Sequence, residues 1–224
     1  MGKLKITFIF TLILIAYNSL YSQNNAYYGG SGHFSVGTTF LDYSSVNVHL
    51  RSNNLPAFAT TSLNVGGGGY GVFNSFILGG EGGVITASSV ANANGKSFIT
   101  AGFGMFNMGY TMPLKSRFLV YPLIGLGWGG SSFDIKYTGG FEEKYEATKF
   151  FISAEINCEL FSFADENGKA GFKTGVCIGY LFNPHTEPWK ETTIGYTNVA
   201  NTFMNGPYFK IKIGGGGIGF KKKE

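Results

Sequence analysis

Charge is scarce in this chain, and long apolar runs are missing. Charged residues make up 13% of the 224, too few to clothe the polar faces of a set of amphipathic helices. Beyond residue 22, glycine or polar residues break every apolar run, so nothing reaches the roughly 20 residues of a membrane-spanning helix. No proline-rich linker and no block of like charge divides the sequence, which reads as one domain. No cysteine stands near residue 22, which argues against a lipid-modified N-terminus. Basic charge is not in excess either. Setting aside Lys3 and Lys5 leaves 15 basic against 13 acidic residues, a net of +2 that is too mild for a nucleic-acid partner. The Lys221-Lys222-Lys223 run reads as a solvated tail.

Glycine and aromatics are abundant, with Gly 35, Tyr 13 and Phe 22, a composition that favours strands. The first 22 residues have the form of an export signal. Lys3 and Lys5 form its basic start, Ile6 to Ala16 its apolar stretch, and Leu20-Tyr21-Ser22 a cleavage site that would expose Gln23. Residues 23–224 are then the folded domain.

Read with a period of two, that domain gives eight strands near 28–41, 62–72, 76–87, 97–110, 116–128, 149–163, 170–182 and 207–220. The connections between them alternate: 42–61 long, 73–75 short, 88–96 long, 111–115 short, 129–148 long, 164–169 short, 183–206 long. This is the rhythm of an outer-membrane barrel, with short periplasmic turns and long extracellular loops. In 150–163 the even positions Phe150, Ile152, Ile156 and Leu160 are apolar, while Ser153, Glu155, Asn157 and Glu159 are not. The strands 170–182 and 116–128 repeat the pattern. Aromatics gather at both ends, with Phe73, Phe76, Tyr110, Phe118, Phe163, Phe172 and Phe220 at one and Phe40, Phe98, Trp128, Phe150, Phe182 and Tyr208 at the other, like two interfacial girdles. Two strands break parity, 97–110 at Met105 and 207–220 across Gly214 to Gly217. A bulge or a misplaced boundary is expected in the first and a bend in the second. The expected fold is all-β, a closed antiparallel eight-stranded up-and-down transmembrane β-barrel.

The chain resembles the compact eight-stranded outer-membrane barrels of Gram-negative bacteria, of OmpA-like and OmpX-like type. Three segments carry the likeness: Tyr121-Pro122-Leu123-Ile124-Gly125-Leu126-Gly127, the strand from Gly175 to the GYLF ending at Phe182, and Gly206-Pro207-Tyr208-Phe209-Lys210-Ile211 leading to Ile218-Gly219-Phe220. The resemblance implies outer-membrane lipid as the surroundings, and a barrel-assembly machinery that reads the last strand through Phe220. Here KKKE follows Phe220, whereas the family's signal finishes on the aromatic.

No motif points to catalysis, a cofactor or a metal. Gly125-Leu126-Gly127-Trp128-Gly129-Gly130 has the form GxGxxG, but the polar Ser131-Ser132-Phe133-Asp134 follows where a dinucleotide site needs a helix to begin. Gly95-Lys96-Ser97 lacks the upstream glycine of a phosphate loop, because residue 90 is Val90. His33, His49 and His185 are each isolated. His49 and His185, with Glu187, fall in outer loops and offer the one conceivable acid/base or metal grouping. Glu81, Arg117, Glu155, Glu159, Lys173, Lys210 and Lys212 take the inward parity. That is the safer side, since a basic residue facing mid-membrane lipid costs roughly 2–4 kcal/mol. They are expected to pair into a network filling a narrow lumen; lining a narrow solute path is the alternative. The loops 129–148 and 183–206, rich in aromatics, are the candidate contacts for an extracellular partner. Cys158 and Cys177 would face each other across a two-residue turn at Asn167-Gly168, but the apolar parity demands an even sum of paired residue numbers. Two free thiols on opposite faces are expected.

Overall fold

The computed structural model describes residues 25–112, 117–164, 168–184, 189–191 and 205–222. The expected export signal, the turn residues Glu166 and Asn167, and His185 and Glu187 lie outside them. In chain order the elements are β1 (Asn25–Phe40), α1 (Ser44–Ser52), β2 (Thr61–Phe73), β3 (Phe76–Ala87), β4 (Val90–Asn92), β5 (Gly95–Tyr110), β6 (Phe118–Tyr137), β7 (Glu142–Ala164), β8 (Gly168–Phe182), β9 (Lys190–Glu191) and β10 (Gly206–Lys222). Eight long strands form a closed antiparallel ring in the order β3-β2-β1-β10-β8-β7-β6-β5, with β5 returning to β3. Every pair but β1–β10 joins neighbours along the sequence, so this is an up-and-down barrel. Among the described residues no helix is long and apolar enough to cross a membrane.

Closure leaves no sheet edge, which lets the outer face be apolar. Phe34, Leu78, Phe106, Ile124, Ile178 and Phe209 all project outward and are exposed, while Ser35, Glu81, Asn107, Tyr121, Cys177 and Lys210 on the same strands are buried inside. A wall of that polarity is built for lipid. At the end nearest the termini the β2–β3 turn is tight. Phe73 and Phe76 pair across Asn74 and Ser75, whose φ of 51° and 71° suit a two-residue hairpin turn.

Inside, apolar side chains form two layers. The lower layer, toward the termini, contains Tyr27, Val72, Ile77, Leu119, Leu123, Phe161 and Ile218. The upper layer is built around α1, which sits in the barrel mouth with Val46 and Leu50 buried. Leu41, Tyr43, Leu55 and Phe58 surround the helix and meet Ile85, Ile99, Phe133, Ile135, Tyr145 and Trp189 from the wall and mouth. Asn47 clamps the returning chain, donating to the Phe58 carbonyl at 3.0 Å and accepting from the Phe58 N–H at 2.8 Å. Asn92 and Asn94 both donate to the Asn54 carbonyl, at 2.8 and 3.0 Å, tying the plug to the β4–β5 hairpin.

Several expectations need correction. Residues 129–148 are not a long loop, because β6 runs to Tyr137, β7 starts at Glu142, and the turn between them uses Gly140 at φ 85°. Similarly 42–61 contains α1, and 88–96 contains β4. The parity switch in 97–110 is no bulge. β5 keeps continuous register with both neighbours through Met105. Ile99 and Ala101 turn inward to the plug, whereas Phe106 and Met108 turn outward. The same holds in β10, where register runs unbroken across Gly214 to Gly217 and Ile218 points into the lower layer. β10 also continues past Phe220, pairing Lys221 and Lys222 with Ala26 and Asn25. Tyr208 belongs to no girdle and is buried inside.

The cysteine register agrees with the parity argument. Cys158 pairs with Val176 and Cys177 with Asn157, each sum being 334. The register shifts only between Phe161 and Phe163, near the turn. Cys177 is buried, Cys158 is on the outer face, and both are free. One stretch of the seam where the ring closes is bare of side chains, with Gly30 facing Gly217 and Gly32 facing Gly215, while Phe34 faces Ile213 and Val36 faces Ile211 further along.

Candidate functional site

Between the two apolar layers lies a band of charge. Glu81 comes from β3, Glu155 and Glu159 from β7, Lys173 from β8, and Lys210 and Lys212 from β10; all six side chains are 2% exposed or less. Period-two alternation places them there: Glu155, Glu159, Lys210 and Lys212 lie between outward apolar residues, Lys173 follows Phe172, and Glu81 lies between Gly80 and Gly82. Lys173 donates to Glu159 at 2.7 Å. Lys210 bonds Glu81 and lies 3.8 Å from Glu155. Lys212 bridges Glu81 at 3.6 Å and Glu155 at 3.4 Å, and donates to Asn157 at 2.8 Å.

The carboxylates also collect neutral donors. Tyr70 and Tyr121 give their hydroxyls to Glu159 at 2.6 and 2.7 Å. Tyr208 donates to Glu155 at 2.6 Å, and the Cys177 thiol does so at 3.2 Å. Lys173 and Lys210 each lie over a tyrosine ring, Tyr70 at 4.7 Å and Tyr208 at 4.8 Å, a favourable cation–π placement. Three acids and three ammoniums therefore cancel within one cross-section. A buried charge left without a partner costs several kcal/mol, and this band leaves none of the six in that state.

The structure brings together six of the seven residues read from parity. Arg117 is the exception. It has the inward parity, but it stands at an exposed bend before β6 begins, below the end of the lumen. Its carbonyl accepts the Phe161 N–H at 3.1 Å. Sequence reading missed His33, which lies 3.7 Å from Glu81 with its side chain 4% exposed. Parity held the signal, since Phe34 and Val36 on β1 point out. The tyrosines Tyr70, Tyr121 and Tyr208 were also missed, because an aromatic serves equally as core or as donor.

A second polar cluster lies at the mouth. His49 Nε2 of α1 is 3.4 Å from Glu143 and 3.2 Å from the Tyr145 hydroxyl. Tyr145 and Tyr137 donate to Glu143 at 2.7 and 3.2 Å. Burial, reinforced by that carboxylate, pushes both hydroxyls up, Tyr137 to about 12. They stay protonated donors and do not serve as phenolate bases. Phe133 stacks on Tyr145, ring centroids 5.3 Å apart. The cluster fastens the plug helix to the β6–β7 hairpin. Among the described residues no group of three or more His, Cys, Asp or Glu could hold a metal ion, and the GxGxxG stretch runs straight through β6 with no helix to receive a phosphate.

No protein-family model matches the chain, and no curated protein matches it. Solved structures do. Neisserial surface protein A is similar at 9% identity and a TM-score of 0.39, covering 88% of this chain and 97% of its own. The outer membrane protein OprG from Pseudomonas aeruginosa is similar at 10% identity and a TM-score of 0.42, over 88% and 97%. The outer membrane protease OmpT from Escherichia coli is similar at 8% identity and a TM-score of 0.32, over 88% and 95%. One of the three is a protease, so the likeness assigns no activity. The eight-stranded ring rests on this chain's own register.

Proposed function

We propose that this protein is an exported outer-membrane barrel, non-enzymatic, that holds structure at the cell surface for contact with extracellular partners or for envelope integrity. Residues 1–22 act as the export signal, and the last strand, with Phe220, engages the barrel-assembly machinery. One observation carries the reading: among the described residues, buried side chains occupy the lumen at three levels. The plug around Leu50 and Phe133 closes the mouth, the charge band is internally neutralised, and Tyr27, Val72, Ile77 and Phe161 close the other end. Eight strands enclose an interior only just wide enough for side chains, which leaves no room for a solute.

Among the described residues, the β6–β7 hairpin is an extension offered outward, beside the candidate connection 183–206. From Trp128 to Tyr137 it runs nine residues beyond the aromatic girdle, about 30 Å along the strand. Its outer surface carries Asp134, Lys136, Glu142, Lys144 and Glu146, with ion pairs of 2.9 and 2.8 Å between Lys136 and Glu142 and between Lys144 and Glu146.

Planar-bilayer recording tests the reading directly. The refolded protein is expected to give no steady single-channel current; a conductance that shifts when Glu155 or Lys212 is replaced would select the narrow-channel alternative. Binding to host or envelope surfaces is expected to vanish when residues 132–146 are replaced by a short turn while the barrel stays folded. Survival of binding would remove the hairpin from the proposal. The mouth cluster supports a second reading, an acid/base enzyme acting on lipid. It requires altered lipid species in cells that depend on His49.

A further inference from the structure

The outer wall just above the girdle has a depression of about 280 Å³ spanning β5, β6 and β7. Its construction follows from register. Trp128 pairs with Phe150, and the next outward pairs toward the turn are Gly130 with Thr148 and Ser132 with Glu146. On β5, Gly104, Gly102 and Thr100 stand beside Trp128, Gly130 and Ser132. Two glycines thus make the floor, and a Cβ at either Gly102 or Gly130 would meet nothing within 4 Å. Thr100, Ser132, Thr148 and Glu146 provide the polar rim. Trp128, 64% exposed and with its ring 5.0 Å from that of Phe150, is the next outward position below the lining.

Depth decides what can occupy it. Trp128 and Phe150 mark the hydrocarbon boundary, as interfacial aromatics do. Each outward pair lies two residues further on, about 7 Å along a tilted strand and about 5 Å in depth. The headgroup layer of one leaflet is about 5–7 Å thick. The glycine floor and Thr148 therefore lie level with the lipid headgroups, directly above the acyl chains, while Thr100, Ser132 and Glu146 stand one step higher, about 10 Å above Trp128.

Chemistry narrows the choice. The single charged residue in the lining is Glu146, already paired with Lys144 at 2.8 Å. No cation lines the depression, so it is ill suited to a phosphate, which would meet the Glu146 carboxylate. Three hydroxyl side chains and one carboxylate, one outward step above an exposed tryptophan, instead suit a neutral polyhydroxyl ring: Thr100 and Ser132 already donate to the Ile85 carbonyl and to Asp134, so their oxygens, with the Glu146 carboxylate, accept from the ring's hydroxyls.

We propose that this depression binds the first sugar of a neutral glycolipid in the outer leaflet, with its acyl chains running down past Trp128 and Phe150. The site requires the membrane orientation, and it is independent of any role for the hairpin tip. A lipid-borne sugar is favoured over a free one because the aromatic pair continues the depression into the apolar wall.

The probe is monogalactosyl diacylglycerol, offered to the detergent-purified protein together with equal amounts of diacylglycerol, phosphatidylglycerol and free galactose, with retained adducts read by native mass spectrometry. The glycolipid is expected to be retained at least tenfold over the other three. Gly130→Val puts a side chain into the floor at a position where a Cβ meets nothing within 4 Å and should abolish that preference. Gly104→Val, also open to space but beside Trp128 rather than above it, should leave it intact. Heat-modifiable gel mobility confirms folding of each variant, and Thr148→Val or Glu146→Gln, which remove a rim partner only, should weaken retention severalfold if a floor variant misfolds. Equal retention of diacylglycerol, preference for phosphatidylglycerol or free galactose, or glycolipid retention unchanged by the floor and rim variants would overturn the proposal.

Discussion

Replacing Glu159 by leucine tests whether the charge band stabilises the barrel or merely fills it. Glu159 is fully buried and accepts from Lys173, Tyr70 and Tyr121. Leucine removes the carboxylate and leaves the Lys173 ammonium buried above the Tyr70 ring without its counter-ion. Breaking one half of a buried pair costs about 3–5 kcal/mol, and each stranded hydroxyl adds about 1–3 kcal/mol if it finds no other acceptor. The first contribution dominates, so Glu159→Leu should lose at least 3 kcal/mol, approximately. Adding Lys173→Met should recover most of that loss, since replacing a buried ion pair with apolar groups of similar volume is often neutral. Unfolding in urea from lipid vesicles, followed by the fluorescence of Trp128 and Trp189, measures both. A Glu159→Leu protein within about 1 kcal/mol of the parent, or a double variant no more stable than the single one, would refute the reasoning, because the charges would then not be interacting across a water-excluded lumen.

Three further outcomes are expected. Leu50→Ala should cost about 2–5 kcal/mol, as Leu50 is wholly buried in the plug; normal stability with unchanged protease resistance of residues 41–60 would mean that α1 does not occupy the mouth. Asn47→Ala removes both bonds to the Phe58 backbone, each worth about 0.5–1.5 kcal/mol, and should raise amide exchange in 55–60 while leaving the wall strands protected. Non-reducing mass spectrometry should find two thiols and no link between Cys158 and Cys177; a link would contradict the register that pairs Cys177 with Asn157.

The barrel was legible because lipid outside and charge inside impose one phase on 116–128, 149–163 and 170–182, and that phase also gave the inward positions of Glu155, Glu159 and Lys173. Reading stopped where the surroundings exchange polarity. Above Trp128 the outside is polar and the inside is the plug, so Phe133, Ile135 and Tyr145 point inward while Asp134, Lys136 and Lys144 point outward. Apolar residues thus change parity at Gly129-Gly130, and a pattern tuned to lipid ends the strand there. The same inversion produced the false bulge at Met105. Helix α1 was hidden for a different reason. It has no acidic residue in its first turn, no side-chain cap and only two buried residues, so its stability comes from the mouth it fills. Arg117 shows the converse limit, because parity fixes a side chain's face but not whether the lumen extends that far.

The bare stretch of the seam between β1 and β10 leaves the barrel with a problem of counting. Where Gly30 meets Gly217 and Gly32 meets Gly215, a slip of two residues keeps every face correct, and glycine-rich strands resist such slippage poorly. Lys210 and Lys212 supply the missing gauge. Both reach across the lumen from β10 to Glu81 on β3 and Glu155 on β7. Sliding β10 by one pair would withdraw one ammonium from these acids and pull Ile218 out of the lower layer. The interior salt links thereby act as the vernier of the cylinder, setting the stagger at which its first and last strands may join.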